Sequence, residues 1–300
     1  MDDTVKTPEQ VTELLSLPIL GAIVKFGRAT NKNQNRRLIA FDDPSSPISE
    51  SYRQLRTNLF FSSEERQTKV YVITSPGPEE GKSVTAANLA VVMAAAGRRV
   101  LLVDADMRRP VQHQIFGLEN EVGLTTLLAA DPRDDQAPQH LLRGSGGYAA
   151  CLNDTEVPNL RVITSGFLPA NPSEVLGTVM MQRWAKLFKN ASNVDVVIFD
   201  TPPLLVVSDS TILAAATDAE TIMILRAGKT RRTAAVKARA QLEQLGLTVN
   251  GVVLNQVTMR DLGGDYGYGY GYGYYYSSDK PTNKSANEKV NGRSIQHNKA

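Results

Sequence analysis

From residue 47 onward, apolar residues fall into short runs separated by longer stretches in which they recur every three or four positions. The runs at 70–74, 99–104, 160–164, 194–199, 220–225 and 248–255 are nearly continuous Val, Ile and Leu. Runs of that length and composition read as strands buried on both faces, the habit of parallel sheets. Helical periodicity lies between them, at 82–96, 123–129, 172–189, 209–216 and 230–245. A further helix at 47–61 places Tyr52, Leu55, Leu59 and Phe60 on one side. The alternation predicts a three-layer α/β domain, a mostly parallel central sheet with helices on both faces.

The flanks break this pattern. Residues 1–45 read as a polar, interrupted leader and linker, 46–258 as the folded domain, and 259–300 as a flexible tail. Within the leader, Thr7-Pro8-Glu9-Gln10 marks a helix start with Thr7 as N-cap and Pro8 at N1, and the helix is expected to end near Leu17. A short apolar segment, Ile19 to Val24, follows, and residues 27–46 read as a flexible connector. Residues 131–158 carry Gly, Asp and Pro without a clear period and are expected to form a surface loop.

Bulk properties narrow the function classes. A formal charge of +2, with Lys and Arg scattered, does not suit a nucleic-acid partner, which would call for a clustered basic face. Cys151 is the only cysteine, so no internal disulfide forms, and one Cys with three scattered His residues makes no zinc set. The stretch from Leu14 to Phe26 contains Pro18 and Lys25 and covers about half a bilayer span.

Candidate chemistry begins after the run 70–74. Pro76-Gly77-Pro78-Glu79-Glu80-Gly81-Lys82-Ser83-Val84 joins that strand to the helix at 82–96, which is the context of a P-loop. Successive backbone N–H groups and the positive helix end form an anion nest. Lys82 then reaches the β/γ-phosphates and the Ser83 hydroxyl ligates Mg²⁺. Pro76 stands where the usual pattern has its first glycine, so the loop alone also fits an ordinary βα turn with an exposed lysine. Two more strands end in acids, Asp104 and Asp106 after 101–103, and Asp200 after 197–199. Each acid by itself fits a helix cap. Together with the loop they supply the hard oxygen ligands that a metal-bound nucleotide needs beyond the carboxyl ends of strands, so the set predicts a P-loop NTPase site for ATP and Mg²⁺.

At this point the chain resembles the bacterial tyrosine kinases (BY-kinases) of exopolysaccharide and capsule export. Pro78 three residues before Gly81, the hydrophobic triplet and Asp-x-Asp-x-Arg at 101–108, the triplet and Asp-x-Pro-Pro at 197–203, and Glu50-x-x-Arg53-x-x-Arg56 all match, over about residues 7–276. The resemblance implies a tyrosine autokinase in which Asp106 and Asp200 hold the metal region and Asp104 is the candidate base, with the first two acids able to exchange roles. It implies a homo-oligomeric ring built through Glu50, Arg53 and Arg56, a membrane-spanning activator, further protein substrates, and a place at the inner face of the plasma membrane. Arg108 either neutralises phosphate or pairs with an acid. Asn255 either contacts adenine or simply ends its strand.

Seven of the ten tyrosines sit in one stretch, Tyr266, Tyr268, Tyr270, Tyr272, Tyr274, Tyr275 and Tyr276, alternating with glycine at first. Alone this is a low-complexity tail; behind an ATP site it is the expected phosphoacceptor. The rival readings are a partition-type ATPase switch, whose signature lysine would stand at Gly77, and a nucleotide-sensing regulator without catalysis. No V-A-I-K, H-R-D or D-F-G set of the eukaryotic kinases is present.

Overall fold

Side chains alternate across the central strands and bury both faces of the sheet. Val100 and Leu102 enter one core cluster while Leu101 and Val103 enter another, and Val196 and Ile198 part in the same way from Val197 and Phe199. Each such burial stabilises by roughly 1.5–3 kcal/mol, and the alternation between two faces is what suits these runs to strands rather than helices. The computed structural model describes residues 2–25, 38–62, 69–129 and 149–258.

In chain order the elements are α1 (Pro8–Leu15), β1 (Ile19–Val24), α2 (Ile39–Asp42), α3 (Pro47–Ser62), β2 (Lys69–Thr74), α4 (Lys82–Ala95), β3 (Val100–Asp104), α5 (Gln112–Phe116) and α6 (Leu124–Leu128). There follow β4 (Asn153–Asp154), β5 (Leu160–Ile163), α7 (Pro172–Leu176), α8 (Val179–Asn190), β6 (Val196–Asp200), α9 (Asp209–Thr217), β7 (Glu220–Arg226), α10 (Arg232–Gln244) and β8 (Val249–Val257). The sheet has eight strands in the order β1-β8-β7-β2-β6-β3-β5-β4. Every pairing is parallel except β4 with β5. Helices α3 and α4 cover one face; α6, α8 and α9, with α1 and α10 beside them, cover the other. The expected α/β architecture is borne out.

Five expectations need correction. The 1–45 leader is part of the fold where it is described: β1 pairs with β8, and Val5, Val11, Leu15 and Ile23 are fully buried. Helix α1 stops at Leu15 because Ser16 turns left-handed (φ 48) and its N–H bonds Thr12 O. The connector contains α2, held by Ala40 N donating to Asn88 Oδ1 at 2.9 Å. The helix expected at 172–189 is two helices, because Thr178 restarts the chain as an N-cap that accepts from Met181 N. On α3, Tyr52, Leu55 and Leu59 are buried but Phe60 is 62% exposed, lying off their stripe.

Candidate active site

Strand β2 runs into the loop 75–81, and the loop's shape is set by its neighbours. Thr74 Oγ1 donates to Pro202 O at 2.9 Å and Leu204 N to Ser75 O at 2.8 Å, so the loop is stitched to the turn after β6. Glu80 is folded inward: its Oε2 accepts from Gly77 N at 3.0 Å and its Oε1 from Thr230 Oγ1 at 2.6 Å. Burial pushes the Glu80 carboxyl pKa up, against the pull of those two bonds. Glu79 is left-handed (φ 59) and its side chain meets Lys229 Nζ at 2.8 Å, while Arg226 Nη1 donates to Glu79 O at 3.0 Å. Gly81 has φ +93, and a Cβ there would meet Asn255 Nδ2 at 2.0 Å. Only glycine fits that position. Helix α4 starts on the next residue, Lys82, with its positive end at the loop.

The register β2–β6–β3 brings the acids to this loop. Asp200 lies opposite Ile73 on one side and Asp104 on the other. Lys82 Nζ reaches Asp106 Oδ2 at 2.8 Å, Ser83 Oγ at 3.3 Å and Asp200 Oδ1 at 3.9 Å. Asp104 accepts Val111 N (3.0 Å) and Gln112 N (2.9 Å) on Oδ2 and Asp106 N (3.3 Å) on Oδ1, so its carboxylate anchors the start of α5. Asp106 Oδ1 accepts Arg109 N at 3.0 Å.

Charge is out of balance here, with three carboxylates facing one ammonium. Burial and then the neighbouring Asp200 push the Asp104 pKa well above the usual carboxylate value. Burial also raises that of Asp200, opposed chiefly by Lys82. Burial would lower the Lys82 ammonium, but Asp200 and Asp106 outweigh it and hold its pKa above normal. Asp200 Oδ1 is buried without a hydrogen-bond partner. Among the described residues no three acidic, His or Cys side chains form a ready cage for a metal. Mg²⁺ does not need one, since one or two carboxylates, a hydroxyl, phosphate oxygens and waters complete its shell. The excess negative charge, the Asp200 oxygen that lacks a hydrogen bond and the Ser83 hydroxyl therefore fit Mg²⁺.

The remaining site residues are placed as follows. Pro78 is exposed on the loop and Val84 lies in the first turn of α4. Of its two options Arg108 takes the acid, with Nε and Nη2 on Asp209 at 2.9 and 3.1 Å and Nη2 also on Ser173 Oγ at 3.1 Å. Asn255 Nδ2 donates to Glu80 O at 2.9 Å, so its side chain braces the P-loop. On α3, Arg53 pairs with Glu50 (Nε to Oε2 at 2.6 Å), while Arg56 Nη1 donates to Val92 O of α4 at 2.9 Å. The tyrosines 266–276 lie outside the described residues. Sequence reasoning missed Thr230 and Lys229, which grip the loop, Asp209, which holds Arg108, and Gln112, buried among the acids. None of these belongs to a motif. The one available signal was spacing, since Gln112 follows the Asp-x-Asp pair by six residues.

The profile of the family described as the CobQ/CobB/MinD/ParA nucleotide binding domain matches residues 71–265. Tyrosine-protein kinase YwqD of Bacillus subtilis is 41% identical over 231 residues, which span 76% of this chain and 90% of YwqD. The chain belongs to the bacterial tyrosine-protein kinases. Tyrosine-protein kinase etk of Escherichia coli K12 is 33% identical over 272 residues, and there the match covers 85% of this kinase but 35% of the longer relative. Among solved structures, the kinase domain of Escherichia coli tyrosine kinase ETK superposes with a TM-score of 0.71 at 29% identity, covering 85% of this chain and 96% of that one. The chimerical protein CapA2B2 gives 0.70 at 35% identity, covering 84% and 100%. The kinase thus carries a nucleotide-binding P-loop domain. Among the described residues, no helix is long and apolar enough to cross a membrane.

Proposed function

We propose that this kinase transfers the γ-phosphoryl group of ATP to tyrosines 266–276 of a neighbouring copy within a ring, and so regulates synthesis and export of an exopolysaccharide or capsule at the inner face of the plasma membrane. The observation that carries the site is the convergence of Lys82, Ser83, Asp106 and Asp200 at the start of α4. Backbone N–H groups of residues 79–83 and the α4 dipole hold the phosphates, and Lys82 neutralises the bridging and terminal oxygens. Mg²⁺, when bound through Ser83, Asp106 and Asp200, supplies charge stabilisation for the leaving phosphate. The tyrosine Oη–P bond forms as the bond between the γ-phosphorus and the β,γ-bridging oxygen breaks. The phenol proton goes to a carboxylate at the end of β3. Asp104 is the first candidate, as the resemblance implies, and burial raises its affinity for a proton. Asp106, whose Oδ2 meets only Lys82, is the second candidate. Asn variants separate them, because the base variant loses kcat while keeping Mg-dependent ATP affinity.

The match to a chimerical protein agrees with a kinase that works with a second polypeptide, and in this reading that partner is a membrane-spanning activator. The ring rests on Glu50, Arg53 and Arg56, with other protein substrates as further targets. Incubation of Lys82→Met protein with active kinase, labelled ATP and Mg²⁺ tests the transfer. Label on the tail tyrosines of the Lys82→Met chain, found by mass spectrometry, is the expected result. Free phosphate with no labelled tyrosine would return the chain to the partition-type ATPase reading.

A further inference from the structure

Gln112 is fully buried at the start of α5 and belongs to none of the nucleotide motifs. Its side-chain nitrogen donates twice, to Ser83 O at 3.0 Å and to Asp200 Oδ2 at 2.8 Å. Both partners are acceptors only, so the NH₂ group must face them and the amide orientation is fixed. Its backbone N–H meanwhile donates to Asp104 Oδ2 at 2.9 Å. One residue therefore ties together the first turn of the P-loop helix, the acid ending β6 and the acid ending β3.

Two buried acceptors in this cluster have no hydrogen-bond partner, Gln112 Oε1 and Asp200 Oδ1. They belong to groups bonded to each other. Buried polar atoms are nearly always satisfied, and exceptions gather where a ligand supplies the missing partner. By spending one Asp200 oxygen on its own NH₂, Gln112 leaves the other oxygen directed away from that bond, 3.9 Å from the Lys82 ammonium. Water bound to a divalent cation is a strong donor, and Gln112 Oε1 is an acceptor awaiting one.

We propose that Gln112 is a positioning residue of the phosphoryl-transfer site. It fastens Asp200 to the P-loop helix so that one carboxylate oxygen stays available to Mg²⁺, and it accepts a hydrogen bond from the cation's water shell. The role rests on the Mg–ATP reading given above.

The test compares wild type, Gln112→Met, Gln112→Asn and the exposed neighbour Gln114→Ala as full chains, by binding of a fluorescent ATP analogue across a Mg²⁺ titration and in EDTA. For Gln112→Met the expected result is unchanged affinity in EDTA, within twofold, and a rise of about tenfold in half-saturating Mg²⁺, the scale on which outer-shell partners of a metal act. At saturating Mg²⁺, kcat falls while KM for ATP holds. Gln112→Asn keeps the amide but is one methylene short of spanning both acceptors, and is expected to fall between. Gln114→Ala is expected to match wild type. An unchanged Mg²⁺ midpoint in folded Gln112→Met, checked by thermal melting, overturns the proposal, as does an equal loss in EDTA and in Mg²⁺. Should Gln112→Met not fold, the Gln112→Asn midpoint decides alone. Wild-type binding with no Mg²⁺ dependence overturns the site reading itself, and the Gln112 role with it.

Discussion

At Gly81 the P-loop and the last strand share one small space. The left-handed φ and Asn255 Nδ2, which stands where a Cβ would be, act together, so Gly81→Ala has neither backbone nor room. We expect roughly 1–3 kcal/mol of strain and loss of measurable ATP-analogue binding, checked by melting and fluorescence titration. Asp104 gives a prediction in pH. Its folded pKa lies well above its unfolded value of about 3.9. Between those values the folded state binds more protons than the unfolded one, so stability declines as pH climbs through that window and grows as pH is lowered. Nucleotide-free protein is therefore expected to lose melting temperature as pH rises from about 4, and Asp104→Asn to flatten the slope. Melts over that range check the sign. Of these residues, the glycine and the acids were legible because each belongs to a motif set by phosphate chemistry. Gln112 was not, because an amide gains its meaning only from what a distant strand places beside it.

Among elements, the six central strands could be read from sequence because burial on both faces leaves an uninterrupted apolar run. Strand β1 could not. Its six residues carry Gly21, which lies 3.2 Å (as a built Cβ) from Leu55 Cβ, and its partner β8 is more than 200 residues away. Pairing that distant leaves no local trace. Helix α5 was equally hidden, since five residues hold no period and its first turn depends on the Asp104 carboxylate. The helices on the second face show what packing adds to pattern. Trp184 on α8 is fully buried, and its Nε1 donates to Leu127 O at 2.9 Å, pinning α8 to α6. Trp184→Ala is expected to lower stability by about 3–5 kcal/mol, read by urea unfolding. ATP affinity of the folded protein should not change, because α6 and α8 supply no side chain to the phosphate cluster.

Across the whole molecule, chemistry gathers at the carboxyl ends of β2, β3 and β6, while β8, which leads to the tyrosine-rich tail, lies two strands beyond β2 in the sheet. From Asn255 the chain to Tyr266 can extend at most about 35 Å, which suits transfer to a second copy in the ring proposed above. Phosphorylating most of the cluster would add on the order of −10 charges at −1.5 to −2 each, against a formal +2 for the chain. Phosphorylated protein is therefore expected to sediment as a smaller assembly than dephosphorylated protein; equal sizes would remove charge as the means of control. The opposite end of the chain has a bearing on the same chemistry. Val5 N and Arg232 N bond Thr230 O and Asp3 O, Gly228 N bonds Val5 O, and this strapped loop sends Lys229 and Thr230 to Glu79 and Glu80. The first few residues are thus a splint on the cradle that grips ATP. Trimming residues 2–5 should slacken nucleotide affinity several-fold in a titration, although none of them is among the groups that face the phosphates. A pull on the amino terminus would be felt at the γ-phosphate as a change in grip.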